Sequence, residues 1–412
     1  MNLPPQVSVA VFLTRFEPGG TERQMIELVR RLDASRFTVH VACFDRRGAW
    51  LPRVAERAAS IVEFPIRGFA RPATIAALLE FAKWCRRERI EVVQTCDLYA
   101  NVFGLPGAAL AGVPVRIGSR RELNPDKTPG QIRLQRQAYR CATTVVANSV
   151  AARGILIEEG LAAESIAVIP NGVDLGSTAT AFRLRAEATL LRSFGASEGK
   201  PTVARRPEGR SLPSVAPKER RRVITVANLR PEKSHETLFA AADLLASDFP
   251  DVEFQIVGDG PRRAELEELV RAHGLERRVQ FLGHREDVAP LLAEADIFVL
   301  PSRSEAFPNG AIEAMAAGLP VVASATGGLL DLIEHGHTGL LFEPGNPAAL
   351  ADALRHLFTD RSIASAIGQR AQTQVRQRYS FERMVRSFED LYLASLPARS
   401  LAGARRAQAA GL

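Results

Sequence analysis

The stretch DIFVLPSRSEAFPNGAIEAMAAGLPVVAS, residues 296 to 324, contains two short apolar runs separated by a helical pattern. Ile297–Leu300 and Val321–Ala323 have the length and composition of buried strands. The segment between them has an apolar face at helical spacing, formed by Ile312, Met315 and Ala316. Gly318, closely followed by Pro320, is typical of a helix end. A strand, a helix and a second strand in this order predict a βαβ unit of a parallel sheet.

Apolar runs alternate with helical patterns along the rest of the chain as well. In the first half the predicted strands are Val7–Leu13, Val39–Phe44, Glu91–Gln94, Val115–Ser119, Thr144–Asn148 and Ile166–Pro170. In the second half they are Val223–Ala227, Phe254–Val257, Val279–Leu282, Ile297–Leu300, Val321–Ala323 and Leu340–Phe342. Because 412 residues exceed one ordinary core, the pattern predicts an α/β protein with two doubly wound, Rossmann-like domains facing across a cleft.

An irregular segment, residues 176–222, separates the two series of strands. It is rich in Pro, Gly, Ser and Arg, and its one helical pattern covers about Phe182–Phe194. A stretch of this composition, with no regular spacing of apolar residues, predicts a linker or a mobile loop. The predicted organisation is a first domain over 1–175, this linker over 176–222, a second domain over 223–380, a last helix over 381–397 and a tail over 398–412.

The net charge of +7 is concentrated in the linker. Between Arg183 and Arg222, eleven Lys or Arg residues stand against four Glu, which accounts for the whole excess. A nucleic-acid-binding protein should carry its positive charge on a folded face, so this distribution argues against nucleic acid as a partner. A basic, irregular segment is a better match for the surface of an anionic membrane.

Cysteine spacing and the apolar runs indicate the compartment. The four cysteines form no CxxC pair, which favours free thiols in a reducing environment. No run approaches the roughly 18–20 apolar residues of a membrane helix. The run at 7–13 is too short for a signal peptide. We therefore expect a cytoplasmic protein, with peripheral association at the inner face of the membrane as an open alternative.

Two glutamates, Glu305 and Glu313, lie on either side of the helix start in the opening stretch. That start spans Phe307, Pro308, Asn309 and Gly310. Proline suits the first turn of a helix, and the free backbone amides of a first turn bind anions. A phosphate bound there would leave one carboxylate for a ribose diol and the other for a hexose. On spacing alone, two solvated carboxylates explain the pattern equally well.

Cations and glycines follow the other predicted strands of the second half. Arg230 and Lys233 come just after Val223–Ala227, where they would neutralise a diphosphate or simply be solvated surface charges. Gly258 with Gly260, and Gly327 with Gly328, would allow a ligand close to the backbone, but such glycines also make ordinary turns. Because ligands bind beyond the carboxyl ends of parallel strands, these loops are consistent with one shared ligand.

Several common kinds of site are excluded by the motifs that the sequence lacks. His335 and His337 are two residues apart with no nearby third ligand, so a metal site is not expected there. No D-x-D pair occurs, and neither do the GxGxxG, GxxxxGK[ST] and GxSxG motifs of dinucleotide-binding, P-loop and hydrolase sites. We expect neither a metal nor a resident cofactor.

Taken together, the motifs resemble those of the retaining glycosyltransferases of family 4, which have the two-domain GT-B fold. The matching pieces are GGTERQMIELVRRL, IPNGVDL, VANLRPEK, VGDGP, FLGHREDV, the opening stretch, HGHTGLLFEPGNPAAL and RYSFERM. The resemblance extends from about Val7 to Leu393 without the linker, and it is strongest from Val223 to Phe342. The seven-residue gap between the two glutamates is its most specific element.

The resemblance implies that the second domain binds a nucleotide-diphosphate sugar. Glu313 would hold the ribose hydroxyls and Glu305 the transferred sugar, while Arg230 and Lys233 would neutralise the diphosphate. Further donor contacts are implied for Gly19, Gly20, Gly258, Gly260, His284, Arg285, Phe307, Pro308, Asn309, Gly310 and Gly328, with His284 and Arg285 at the base. The acceptor would bind the first domain, to which the last helix would return.

The sequence departs from the family pattern at two places. Ala227-Asn228 stands where relatives often have Gly-Arg, so Arg230 would have to supply the second cation. No histidine occurs in QTCDLYAN (94–101) or GSRRELN (118–124), where many relatives carry one near the reacting sugar carbon. The residues to examine for acceptor chemistry are then Arg120, Arg121 and Glu122.

The activity that this resemblance implies is metal-independent transfer of a hexose with retention of configuration. The donor would be a UDP- or GDP-sugar, and the acceptor a hydroxyl of a saccharide or lipid-linked saccharide in polysaccharide or glycoconjugate biosynthesis. The missing histidine leaves open a nucleotide-sugar-binding protein with weak catalysis. A nucleotide-sugar 2-epimerase on a similar fold is a further alternative, against which the paired glutamates argue.

Overall fold

The computed structural model describes residues 6–69, 71–123, 127–176 and 220–397, and they form two compact units. The first unit comprises the described residues up to Gly172, the segment 305–309, and those from Tyr379 onward; the second comprises the rest. Most of the linker, including the helix predicted near Phe182–Phe194, and the tail over 398–412 lie outside the described residues. Both units are parallel α/β structures, as the sequence predicts.

The first unit is a seven-stranded parallel sheet with helices between the strands. Its strands are β1 Val7–Leu13, β2 Phe37–Cys43, β3 Ser60–Glu63, β4 Val92–Thr95, β5 Val115–Arg120, β6 Thr144–Ala147 and β7 Ile166–Val168. The helices between them are α1 Gly20–Arg31, α2 Leu51–Ala55, α3 Pro72–Arg87, α4 Leu98–Ala111, α5 Pro129–Tyr139 and α6 Val150–Glu158, with a 3-10 turn at Ala163–Ser165.

The strand order of this sheet is β3-β2-β1-β4-β5-β6-β7, so the winding direction reverses between β1 and β4. Ligands of open α/β sheets bind beyond the carboxyl ends of the strands at such a reversal. Strand β3 was not among the predicted strands. That strand lies at the edge of the sheet, and its residues are only partly buried, so its apolar signal is weak.

Aromatic side chains form much of the core of the first unit. The ring of Phe12 on β1 is fully buried, and its centroid lies 4.9 Å from that of Phe44, 5.3 Å from Phe81 and 5.5 Å from Phe103. Tilted and edge-on aromatic pairs at these distances add to the free energy gained from buried area alone. This cluster holds β1, α3 and α4 in place and thereby fixes the strand ends at the reversal.

The second unit is a six-stranded parallel sheet with the order β10-β9-β8-β11-β12-β13. Its strands are β8 Arg221–Val226, β9 Val252–Val257, β10 Val279–Gly283, β11 Ile297–Leu300, β12 Val321–Ser324 and β13 Leu340–Phe342. Its helices are α7 His235–Leu244, α8 Arg263–Ala272, α9 Val288–Glu294, α10 Asn309–Ala316, α11 Leu329–Leu332, α12 Pro347–Thr359 and α13 Arg361–Arg378, with a 3-10 turn at Pro231–Lys233. Here the winding reverses between β8 and β11.

The βαβ unit of the opening stretch is present as β11, α10 and β12, and its two strands pair in parallel. The first regular residue of α10 is Asn309, one position after Pro308, because the ends of helices fray. Gly318 has a φ of 76° and ends the helix, because a side chain would be strained in that conformation.

The last helix, α14 Phe381–Ser395, belongs to the first unit. Tyr392 is fully buried there and meets the ring of Phe37 edge-on at 6.2 Å between centroids. A carboxylate oxygen of Glu389 accepts a hydrogen bond from the backbone N–H of Asp33 at 2.8 Å. These contacts fix α14 against the start of β2.

The N-terminal cap of α14 offers a test of that docking. Ser380 Oγ accepts a hydrogen bond from the backbone N–H of Arg383 at 3.2 Å. We expect Ser380→Ala to destabilise the first unit by about 1 kcal/mol, because a first-turn donor loses its partner. The unfolding can be followed in urea by tryptophan fluorescence, since both tryptophans, Trp50 and Trp84, lie in this unit.

Ser387→Ala is the matched control for this change. Ser387 lies within α14, and its hydroxyl donates to the carbonyl of Arg383 in the same helix, so alanine there should leave the urea midpoint nearly unchanged. Equal midpoints for the two variants would show that the cap of Ser380 does not stabilise the helix.

Candidate active site

In the second unit the loops that follow the central strands are hydrogen-bonded to one another. The backbone N–H of Arg303, after β11, donates to the carbonyl of Glu232, after β8, at 2.8 Å. The Nε of Arg303 donates to Ser234 Oγ at 3.2 Å, and Thr326 Oγ1, after β12, donates to the carbonyl of Arg303 at 3.1 Å. The loops at the reversal between β8 and β11 therefore form one connected surface.

The loops after β9 and β10 join the same surface. The backbone N–H of Leu229 donates to the carbonyl of Asp259 at 3.0 Å, and that of Arg262 donates to the carbonyl of Leu229 at 3.1 Å. The N–H of Gly258 donates to the carbonyl of Gly283 at 2.8 Å. The five strand-end segments that the sequence analysis selected thus meet at one edge of one sheet.

Cations lie at the centre of this surface. Arg230 is exposed, and Lys233 is partly buried at the end of the 3-10 turn. Ser234 follows with a φ of 49°, a left-handed conformation that turns the chain directly into α7. Glu236 in the first turn of α7 pairs with Arg262 at 2.9 Å and with Arg303 at 3.4 Å, which adds two more arginines to the same edge.

His235 is a neutral, structural residue of this region. Its side chain is fully buried, and burial lowers its pKa to about 4. The imidazole therefore carries no charge at neutral pH, and the positive charge of the loop comes from lysine and arginine alone.

The two glutamates differ in their surroundings. Glu305 is only 7% exposed and lies in the segment 305–309, which belongs to the first unit. Glu313 is half-buried on α10, in the second unit. Burial of Glu305 rules out the interpretation that it is a solvated loop acid, whereas the contact of each carboxylate with a sugar stays a prediction.

The segment 305–309 is fixed by amide side chains of the first unit. Asn309 Oδ1 accepts hydrogen bonds from Asn171 Nδ2 at 2.8 Å and from Gln24 Nε2 at 3.1 Å. Asn309 Nδ2 donates to the carbonyl of Gly20 at 3.2 Å, and Asn171 Nδ2 also donates to the carbonyl of Phe307 at 3.2 Å. These contacts give Asn309 a side-chain role as well as the predicted backbone one.

The positioning role of Asn171 and Gln24 is visible only in the structure. Asn171 belongs to the quoted motif IPNGVDL, and Gln24 lies among the apolar positions of α1 where the side chain is buried. Buried amides need several hydrogen-bond partners, and only the structure shows where those partners are.

Several of the predicted glycines are required by packing. A Cβ on Gly258 would lie 2.0 Å from the carbonyl oxygen of Ala227, and one on Gly260 would lie 2.6 Å from that of Leu229. A Cβ on Gly310 would lie 2.7 Å from the carbonyl oxygen of Val226. Close backbone approach within the protein thus explains these three glycines, and their contact with a donor stays a prediction.

The other residues predicted to contact the donor, His284, Arg285 and Gly328, also follow strands of this sheet. His284 and Arg285 are exposed after β10, and Arg285 pairs with Asp287 at 2.6 Å, which lowers the pKa of that carboxyl. Gly328 precedes the short helix α11, and its neighbour Gly327 has the left-handed φ of 50°. The assignment of His284 and Arg285 to the base stays a prediction.

At the corresponding edge of the first unit, Arg120 and Arg121 have different environments. Arg120 is fully buried, its Nη2 lies 2.7 Å from a carboxylate oxygen of Glu159, and its Nε donates to the carbonyl of Glu122. The carboxylate of Glu122 contacts Lys127 Nζ. Arg120 is therefore a core residue, whereas Arg121 is partly exposed and its Nη2 donates to Asn171 Oδ1 at 2.5 Å.

Among the residues that the structure describes, no group of three or more His, Cys, Asp or Glu side chains is arranged to hold a metal ion. In the same ranges, no helix has both the length and the apolar composition needed to cross a bilayer. The four cysteines, Cys43, Cys85, Cys96 and Cys141, are free thiols, as the sequence predicts.

The chain has two parallel α/β units, and the loops at the winding reversal of the second are connected and cationic. These features place it in the class of two-domain proteins with the GT-B fold. Residues 212–374 match the family model described as glycosyl transferases group 1, and residues 18–177 match that of glycosyltransferase family 4. The chain belongs to the glycosyltransferases of this family 4 type.

A solved structure shares the fold, and a curated protein is similar in sequence over most of the chain. The crystal structure of Anabaena HepE in complex with UDP and glucose matches this chain with a TM-score of 0.77 and 23% sequence identity. The match covers 95% of this chain and 100% of the HepE chain. The 2-deoxystreptamine glucosyltransferase of Streptomyces kanamyceticus is 29% identical over 333 residues, which is 75% of this chain and 78% of that protein.

A third relative matches a smaller part of the chain. The N-acetyl-alpha-D-glucosaminyl L-malate synthase of Bacillus anthracis is 34% identical over 170 residues, which is 41% of this chain and 44% of that protein. The chain thus matches less than half the length of this curated relative, so the relative's activity is not transferred to this chain.

Proposed function

We propose that this chain is a retaining, metal-independent glycosyltransferase that moves a hexose from a UDP- or GDP-sugar to a hydroxyl of a saccharide or lipid-linked saccharide. The observation that carries the proposal is the connected surface of the second unit, where Lys233 follows β8 at the winding reversal and four further loops meet. Such an edge suits a diphosphate, because it offers cations and backbone amides together.

The proposed chemistry needs a group that stabilises the departing diphosphate. The acceptor oxygen forms a bond to the anomeric carbon while the bond from that carbon to the phosphate oxygen breaks. The proton of the acceptor hydroxyl passes to the departing phosphate, so no protein histidine is required. Lys233 and Arg230 would then stabilise the negative charge that develops on the diphosphate.

The names of the relatives favour UDP as the first nucleotide to test. HepE has been crystallised with UDP, and a second structure of it holds UDP-glucose. The acceptors named for the curated relatives include 2-deoxystreptamine and L-malate, which are chemically unlike each other, so the names do not select an acceptor.

The test is thermal unfolding of the whole chain with UDP, GDP and ADP, each with and without a chelator of divalent metals. We expect one nucleoside diphosphate to raise the unfolding temperature by a few degrees, since a ligand that binds only the folded state stabilises it by mass action. The shift should be the same with chelator. A shift that disappears with chelator would contradict the metal-independent mechanism.

Two alternatives predict other outcomes for the nucleotide sugar that binds best. A 2-epimerase would consume that sugar without any acceptor, whereas a transferase releases most of its nucleotide only when an acceptor is present. A binding protein with weak catalysis would show the thermal shift and no transfer across a broad panel of acceptor sugars.

A further inference from the structure

Arg121, which follows β5 at the edge of the first sheet, has an incompletely bonded guanidinium. Its Nη2 donates to Asn171 Oδ1 at 2.5 Å, while its Nη1 is buried and has no hydrogen-bond partner among the residues that the structure describes. Burial lowers its pKa to about 10, so the group is charged at neutral pH. A buried cationic N–H without an acceptor costs free energy that a bound ligand would recover.

The carboxylate of Glu22 interacts electrostatically with this guanidinium, and Asp97 interacts in turn with Glu22. Both oxygens of Asp97 are bonded, one to Thr14 Oγ1 at 2.5 Å and the other to the backbone N–H of Ala100 at 2.8 Å. The carboxylate of Glu22 folds over Gly19, and burial raises its pKa. In the described part of the chain, no carboxylate forms a direct ion pair with Arg121.

A second unpartnered group lies on the neighbouring strand. Asn148 follows β6, is 2% exposed, and has a side-chain oxygen without a hydrogen-bond partner within the described ranges. Its backbone N–H donates to the carbonyl of Arg120 at 3.2 Å, so Asn148 and Arg121 come from adjacent strand ends. The edge therefore offers a cationic donor and a neutral acceptor, which match a ligand that carries both an anionic group and a hydroxyl.

We propose that Arg121 determines acceptor specificity by binding a carboxylate or phosphate group of the acceptor, while Asn148 accepts a hydrogen bond from one of its hydroxyls. The inference rests on the proposed glycosyl transfer and narrows its acceptor to an anionic molecule. Arginine suits this role because its planar fork binds both oxygens of such a group. Arg120, one residue earlier, has no such role, because its charge is already paired with Glu159.

Calorimetric titration of the full-length protein tests this assignment. Inorganic phosphate and malonate are titrated in the presence of the nucleoside diphosphate identified by thermal unfolding, at a saturating concentration that keeps them out of a diphosphate site, and glycerol is the neutral probe. We expect both anions to bind the natural protein and Arg121→Gln to weaken them at least 10-fold, the usual loss for a hydrogen bond to a charged group. Arg121→Lys should recover only part of that affinity, because it keeps the charge and loses the fork.

Arg140→Gln is the matched control, because this substitution removes the same charge. Arg140 is an exposed arginine at the C-terminal cap of α5. The anion affinity of this variant should equal that of the natural protein. Equal binding by Arg121→Gln would mean that phosphate is an adventitious ion only and would overturn the proposal, as would no anion binding at all. Tryptophan fluorescence confirms that each variant is folded.

The donor proposal is tested separately by the thermal unfolding with UDP, GDP and ADP. If UDP or GDP binds and the anions do not, only the role of Arg121 is wrong. If neither UDP nor GDP binds, the donor proposal is wrong, and the anion titrations run without nucleotide still decide the role of Arg121.

Discussion

Replacement of Lys233 by alanine is expected to lower kcat for glycosyl transfer about 10²–10³-fold, the usual cost of removing one group that stabilises developing negative charge. Lys233 lies at the end of the 3-10 turn that follows the central strand β8. Its ammonium would face more negative charge in the transition state than in the bound donor, so kcat should fall more than the donor affinity. Initial rates with the donor identified by thermal unfolding, at saturating acceptor, measure the change.

Lys83→Ala is the control for the loss of a lysine. Lys83 is exposed on α3 in the first unit and pairs with Glu80 at 2.8 Å, an exposed helix pair of little energetic consequence. Its kcat should remain within a factor of two or so of the natural value. A Lys233→Ala enzyme with unchanged kcat would show that the cation for the diphosphate comes from elsewhere, with Arg230, Arg262 and Arg303 as the neighbours to test next.

The fold could be predicted because buried parallel strands read as continuous apolar runs. Within the described residues, twelve of the thirteen strands follow such runs, and their observed ends differ from the predicted ones by at most two residues. The exception, β3, is a half-buried edge strand, so neither its composition nor its length separates it from a loop. What the sequence could not supply is the grouping of 305–309 with the first unit, which depends on side-chain hydrogen bonds from Gln24 and Asn171.

The candidate site was only partly predictable, as Arg120 and Arg121 show. They are neighbours of the same residue type, and the sequence placed both at the end of β5 without distinguishing them. In the structure Arg120 points into a buried ion pair with Glu159, while Arg121 reaches the amide of Asn171. That difference depends on contacts with residues up to fifty positions away along the chain. A single sequence does not show those contacts.

Glu313 gives the second large effect, on donor affinity rather than on turnover. If its carboxylate accepts hydrogen bonds from the two ribose hydroxyls, Glu313→Ala should weaken UDP about 10²-fold, since hydrogen bonds to charged groups each contribute about 1.5–3 kcal/mol. Alanine favours the helix, and Glu313 lies within α10, so the fold should persist. Calorimetric titration with UDP measures the loss, and Glu268→Ala, which removes an exposed carboxylate from α8, should bind UDP as the natural protein does.

The ligand can be altered as well as the protein, which separates a direct contact from an indirect one. With 2′,3′-dideoxy-UDP the natural protein should lose about as much affinity as it does through Glu313→Ala, because the same two hydrogen bonds are absent. The Glu313→Ala variant should then bind UDP and its dideoxy analogue nearly equally, since the interaction is already gone. If the variant still discriminated between the two ligands as strongly as the natural protein, another group would hold the ribose. Glu313 would then be a half-buried helix residue whose charge is satisfied within the protein.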